Sequence, residues 1–519
     1  MFTEYRAICR TSLAAALLCS ALPAVAADVE PAPTGGPDDS NFFTRLYHAY
    51  ADEWGMASAP VDPNALPSPL SRRPPPFPPQ PENSPPYPFT EWPIGGLSPI
   101  GSSVPSAVDS PLIKAIGPGP VGKTLEDEHI QIYGWVETGG NVSTAKTGYG
   151  GNAPAAYMFT PNIVQLDQAV IYVERVPDTV QQDHMDWGFR VSGIYGENYR
   201  YSTGYGAFSD QLLYHNYYAG SDMPMVYGEL YIPNVAQGLV LRAGRYISVP
   251  DIEAQLAPNS YMYSHSLAYA VDNYTNIGVI GSLKLTNNWL LQLGLNDGTE
   301  TGPWNTTRIS LINPVTGYPG YHGARDPGVQ PSLTGCAQWQ NDTAYDALYL
   351  CANAINNGTW GYNNLQWYGG TYYHKFDENW HIAIESYYMF EKNVPDVSQG
   401  YGATAFAYVP YNRPNEAVCP SGETQCTARE WALVAFLNYK FSPMDNLSLR
   451  GEFYDDINGQ RTGFATRYNE WALGWQHWFS PQVEIRPEIA WYHSLDKPAF
   501  DNGTKHAIAI ISGDVLWHF

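Results

Sequence analysis

Residues 483–493 read Val-Glu-Ile-Arg-Pro-Glu-Ile-Ala-Trp-Tyr-His, and this alternation constrains the chain more than any other feature. Val483, Ile485, Pro487, Ile489 and Trp491 share one parity; Glu484, Arg486, Glu488 and Tyr492 share the other. A period of two means a strand with one apolar and one polar face. The rule recurs at 447–454, where Leu447, Leu449, Gly451 and Phe453 oppose Ser448, Arg450, Glu452 and Tyr454. It recurs again where Ile382, Ile384 and Tyr388 oppose His381 and Glu385. A soluble sandwich would alternate too, but here the polar face carries charge deep within long strands. The reading is all-β: a transmembrane antiparallel up-and-down β-barrel of about 14 strands (12–16) over residues 129–519. An even count returns both ends of the barrel to one side.

The connectors fit this layout. Thr286-Asn287-Asn288, Asp377-Glu378-Asn379, Ser442-Pro443-Met444-Asp445 and Ser480-Pro481-Gln482 are tight turns. They alternate with long connectors near 199–224, 248–273, 298–361, 393–429 and 457–467. Short turns on one rim and long loops on the other are the outer-membrane arrangement. The final strand ends Val515-Leu516-Trp517-His518-Phe519, with Val515, Trp517 and Phe519 on one face. Such an ending resembles the signal read by the bacterial barrel-assembly machinery.

The N-terminus is expected to be a cleaved signal peptide, residues 1–26. Arg6 and Arg10 precede the short apolar run Leu13–Leu22, and Ala24-Val25-Ala26 supplies small residues for cleavage. Residues 27–128 form a proline-rich, largely irregular periplasmic segment in this reading. Phe42, Leu46, Tyr50 and Trp54 recur at a spacing of four, which predicts one short amphipathic helix there. Arg72-Arg73-Pro74-Pro75-Pro76-Phe77-Pro78-Pro79 forces an extended polyproline stretch. It is read as a plug or a tether. No later run approaches the ~18 apolar residues of a transmembrane helix.

Composition adds charge and aromaticity. Tyr 39 and Trp 16 are high, and mean hydropathy is −0.31. Aromatic belts around a barrel with a wet interior account for both. The formal net charge is −23. It argues against nucleic acid as a partner, and it either favours cations in the interior or mainly keeps the loops soluble. Four cysteines lie outside the leader, in two local pairs: Cys336 with Cys351, and Cys419 with Cys426. In an oxidising envelope these are disulfide candidates, placed in long loops by this reading. No metal site is expected.

The stretch Gln131-Ile132-Tyr133-Gly134-Trp135-Val136-Glu137 resembles the first strand of the OmpL-like β-barrel porin-2 family. Gly228-Glu229-Leu230-Tyr231 and Arg242-Ala243-Gly244-Arg245-Tyr246 resemble that family's repeated strand patterns. The resemblance covers about 130–519. It implies a barrel that passes small solutes, carries no catalytic motif and names no substrate.

By parity, the inward candidates are Arg190, Arg242, Arg450 and Arg486, with Glu229, Glu385, Glu452, Glu484 and Glu488. Two roles stand open for them. They pair and brace the wall, as Arg486 between Glu484 and Glu488 suggests, or they set a transverse field across the lumen. Tyr227, Tyr231, Tyr387, Tyr454 and Tyr492 share the inward face. The loop 248–273 contains Tyr261, Tyr263 and His265. Its aromatic content predicts a segment folded inward that constricts the pore.

The expected function is passive diffusion of small hydrophilic solutes, with no cofactor, in the bacterial outer membrane. Expected partners are outer-membrane lipid, the assembly machinery and the solutes; a homo-oligomer is compatible with the sequence. One alternative is a plugged or closed barrel used in adhesion or envelope anchoring, for which the proline-rich segment speaks. The other is a barrel-embedded hydrolase built on scattered groups such as His215, His265, His374, His381, His477 and His493. Neither Gly-x-Ser-x-Gly nor His-Glu-x-x-His is present.

Overall fold

The computed structural model describes residues 41–56, 100–101, 110–148, 150–155, 157–202, 218–248, 251–303, 329–343, 345–361, 364–377, 379–399 and 416–519. The expected signal peptide (1–26), residues 72–79 and His215 lie outside these residues.

One closed antiparallel sheet dominates. Its strands are β1 (Gln131–Ser143), β2 (Val164–Arg175), β3 (Asp186–Gly196), β4 (Gly220–Asp222 and Val226–Ile232), β5 (Leu239–Ile247), β6 (Thr275–Lys284), β7 (Trp289–Thr299) and β8 (Ser332–Gln340). They continue with β9 (Asp346–Ile355), β10 (Gln366–Lys375), β11 (Trp380–Pro395), β12 (Gln425–Ser442), β13 (Asp445–Asp456), β14 (Thr466–Ser480), β15 (Val483–Ile485 and Glu488–Ser494) and β16 (Ala507–His518). Each pairs with its neighbours in sequence, and β16 returns to β1 from Trp135↔His518 through Ser143↔Ile510. Phe519 extends the closure through reciprocal backbone bonds with Gly134, of 2.8 and 2.9 Å. The break in β15 falls at Arg486-Pro487, where proline has no N–H to give the ladder.

Sixteen strands stand at the upper end of the expected range. The two that alternation did not mark are β8 and β9. Inward positions of β8 are Thr334, Cys336, Gln338 and Gln340, which are uncharged, and β9 turns Ala347 and Tyr349 inward. Neither strand has the charged face that gave the others away. This also corrects the placing of one cysteine pair. Cys336 and Cys351 are disulfide-bonded at directly facing positions of β8 and β9, inside the wall and not in a loop. Cys419–Cys426 does close a loop segment, at the start of β12. The ladder already holds Cys336 and Cys351 in register. Serine at both is therefore expected to leave the barrel assembled and to cost at most the ~3 kcal/mol of a 15-residue loop closure, read from urea unfolding midpoints.

The outer face is apolar. Leu293, Leu295 and Ile511 are 70, 66 and 62% exposed. Two aromatic belts flank this band. Trp187 and Trp380 mark the rim of short turns, and Tyr195 and Tyr388, eight residues further along β3 and β11, mark the other. At ~3.3 Å per residue and ~40° tilt the belts stand ~20 Å apart, near the height of a bilayer's apolar band.

Helix α1 (Phe42–Ala51) lies against the short-turn rim. Tyr50 donates to the carbonyl of His518 at 2.6 Å, and Trp54 stacks on Phe479. Phe43 and Tyr47 stay exposed. Two further short helices follow, α2 (Pro111–Ile116), capped by Ser110, and α3 (Pro120–Asp127). They correct the expectation of a single helix in this segment: at six and eight residues they are too short to show a periodic apolar face. Arg45 of α1 donates to the carbonyls of Ala115 and Ile116, tying α1 to α2.

Candidate functional site: a loop stapled inside the barrel

Inward parity delivers charged side chains to the lumen, and one loop collects them. The connector between β5 and β6 folds into the barrel, and residues 251–269 are buried throughout. It includes the one-turn helix α4 (Leu267–Val271), capped by Ser266.

The wall receives it through ionic groups. Glu385 of β11 accepts from the Ile252 N–H at 3.0 Å. Glu452 of β13 accepts from the Leu267 N–H at 2.9 Å and from that of Ala268. Glu488 of β15 accepts from the Ser264 N–H at 3.0 Å and from its hydroxyl. Arg450 of β13 donates to the Ser264 carbonyl and hydroxyl, both at 2.7 Å, while pairing with Glu470 and with Glu253 of the loop. Arg486 donates to the carbonyls of Ala257 and Ser260 at 2.6 and 3.0 Å. A loop without regular structure has orphan backbone groups, and burying them needs partners. Strand charges supply them here.

The aromatic residues singled out in the loop are all buried, Tyr261 and Tyr263 against the wall and His265 among loop residues. Tyr261 meets His381, and Tyr263 donates to Asp167 at 3.0 Å. His265 contacts the Ala254 carbonyl at 2.6 Å and stacks on Tyr157 at a centroid distance of 3.7 Å. Two glycines make the space. A Cβ at Gly139 would collide with the Tyr263 ring, and one at Gly474 would come within 3.0 Å of Met262.

The remaining inward candidates pair within the wall. Arg190 binds Glu174 at 2.6 Å, and Arg242 binds Glu229 at 2.7 Å above the Tyr227 ring. Glu484 sits beside His518 and accepts from Gln476 at 2.6 Å. Arg486 does not brace through its neighbours Glu484 and Glu488. Its carboxylate partners are Glu137 of β1, at 3.1 Å, and Asp514 of β16. Residues two apart on one strand face lie further from each other than directly opposed cross-strand pairs, so the lateral contacts win. Glu137, Glu470 and Asp514 share the same inward parity and add to the inward candidates read from the sequence. Asp251, Glu253 and Asp272 sit in a loop with no period to reveal them.

The hydrolase alternative finds one suggestive contact. Ser260 Oγ lies 3.2 Å from His265 Nε2. That hydroxyl also donates to the Ala254 carbonyl at 2.8 Å, and among the described residues nothing reaches His265 Nδ1. A nucleophile–base pair needs the second nitrogen oriented by a third group. Val515, Trp517 and Phe519 occupy the outward face of the seam, with Trp517 exposed.

The family model described as "Putative beta-barrel porin-2, OmpL-like" matches residues 129–519. The chain belongs to that family. This porin is an outer-membrane β-barrel channel protein by family and architecture alike. No curated protein sequence matches it. Among solved structures it is similar to the outer membrane channel DcaP of Acinetobacter baumannii, at 10% identity over 75% of this chain and 97% of that one, TM-score 0.43. It is similar to an anion-selective porin from Comamonas acidovorans, at 8% identity over 75 and 99%, TM-score 0.45. It is also similar to OmpT of Vibrio cholerae, at 9% identity over 75 and 97%, TM-score 0.42.

Proposed function

We propose that this porin is a narrow, cation-favouring diffusion channel for small hydrated solutes, its bore set by the inward loop. The sign of the buried charge carries this reading. Among the described residues, twenty-two Asp and Glu side chains are buried against eight Lys and Arg. Fourteen of those acids lie on barrel strands, whose outward positions are apolar, and Asp251, Glu253 and Asp272 belong to the inward loop. Fixed carboxylates in a confined lumen raise the local cation concentration and repel anions. In a planar bilayer under a KCl gradient, the reversal potential is expected on the potassium side. A reversal potential on the chloride side would overturn the cation preference.

A second reading rests on the completeness of the loop's burial. The barrel could be held shut by 251–271 and act by display or anchoring instead of transport. Conductance measured with and without the loop separates the two.

A further inference from the structure

Three carboxylates converge where the two feet of the loop meet the wall. Asp251 stands at its entry, Asp272 at its exit, and Glu385 projects from β11. One oxygen from each lies within 4.8 Å of the other two. They are 8, 6 and 1% exposed respectively. Some of their charge is met locally. Asp251 accepts from the Glu253 N–H at 3.1 Å, and Arg461 acts on Asp272 while donating to the adjacent Val271 carbonyl at 2.7 Å. Glu300 adds further negative charge beside Asp272. One guanidinium faces these four acidic side chains, and Asp251 hydrogen-bonds the side chains of both Glu385 and Asp272.

Two neighbouring oxygens make the cluster more than an acidic patch. Asn273 is 4% exposed and turns its Nδ2 toward Ser248 Oγ at 3.4 Å. Its Oδ1 has no partner among the described residues and lines a cavity shared with Asp251, Glu253 and Tyr269. The Tyr269 hydroxyl is likewise unpartnered, and Tyr269 lines both that cavity and the adjoining one that holds Asp272 and Glu300. Buried oxygens without donors destabilise the fold unless something satisfies them. A cation held by the carboxylates would offer such oxygens a partner.

We infer that this cluster is a binding site for a divalent cation of the calcium class, bridging the feet of the loop to β11. The donors are all hard oxygens at irregular positions. Calcium accepts 6–8 such ligands in a flexible shell, whereas magnesium demands near-octahedral order. Asp251 is the most exposed of the three, which gives an approach from the cavity. The site holds whether or not the barrel conducts, because binding is read on the folded protein directly.

The test uses the refolded full chain in detergent after treatment with a chelator. Terbium serves as the probe, its luminescence excited through Tyr269 and Tyr274, and calcium competes for it. The expected result is one saturable site, terbium displaced by calcium and much less by magnesium. Asp272→Asn and Glu385→Gln are each expected to weaken binding at least ten-fold, and Asn273→Ala about three-fold. Heat-modifiable gel migration checks folding. Asn273→Ala removes no charge and keeps the test valid if the carboxylate variants fail to fold. Absence of saturable terbium luminescence, equal displacement by magnesium, or unchanged affinity in the folded variants would overturn the proposal.

Discussion

Removing residues 255–266 is expected to raise the single-channel conductance of this porin several-fold. The segment is buried within the barrel and fills the space between β1, β11, β13, β14 and β15. The wall behind it carries Glu488, Arg450 and Arg486, whose bonds to Ser264, Ala257 and Ser260 would be replaced by water. The strands keep their own ladder bonds, so the barrel is expected to remain heat-modifiable. Conductance through a narrow pore is governed by its tightest section, which in the proposed function is the loop. The deletion spares Asp251 and Asp272, which keeps it separable from the cation site. Conductance equal to that of the intact protein would show that the loop does not set the bore. Zero conductance in both proteins would favour the closed-barrel reading.

Arg450→Met is expected to be among the most destabilising single substitutions in the barrel, at about 3–5 kcal/mol. The guanidinium is fully buried and serves Glu470, Glu253 and two atoms of Ser264 at once. Methionine roughly preserves the side-chain length and leaves those carboxylates buried without their cation. Urea unfolding followed by tryptophan fluorescence in lipid vesicles measures the loss. Arg467→Met is the matched control, since Arg467 pairs with Asp496 at the surface with side chains 50 and 39% exposed. Its cost is expected to be small beside that of Arg450→Met, because solvent screens an exposed pair. Adding Glu470→Gln to Arg450→Met should recover part of the loss, because the two residues act as a unit. Equal effects at Arg450 and Arg467 would contradict the role given to the buried network.

The strand periodicity was open to reading because a barrel wall obeys one simple rule. Each residue faces lipid or lumen, and Ile489 and Glu488 show which in consecutive positions. That rule located Arg450, Glu385, Glu452 and Glu488 on the inner face. It failed at β8 and β9, whose inner faces carry Thr334, Gln338 and Tyr349 in place of charge. What the inner residues touch was beyond it. Ile252 and Glu385 lie 133 residues apart, and Ala257 and Arg486 lie 229 apart. No local pattern encodes such a meeting. The tyrosines of the loop hinted at burial but could not name Asp167 or His381 as their neighbours.

Arg486 also bears on how the barrel finishes forming. Its carboxylate partners sit on β1 and β16, the two strands that come together last if the sheet grows in sequence order. Asp514 stands opposite Arg486 as soon as β15 and β16 pair, whereas Glu137 arrives only when β1 closes on β16. If β1 met β16 one residue out of register, β1 would turn Glu137 outward into lipid and Arg486 would keep Asp514 alone. A carboxylate facing lipid is costly, which works against the misaligned joint. The seam therefore carries its own proofreading device: closure is held only in the alignment that brings both acids to the same arginine.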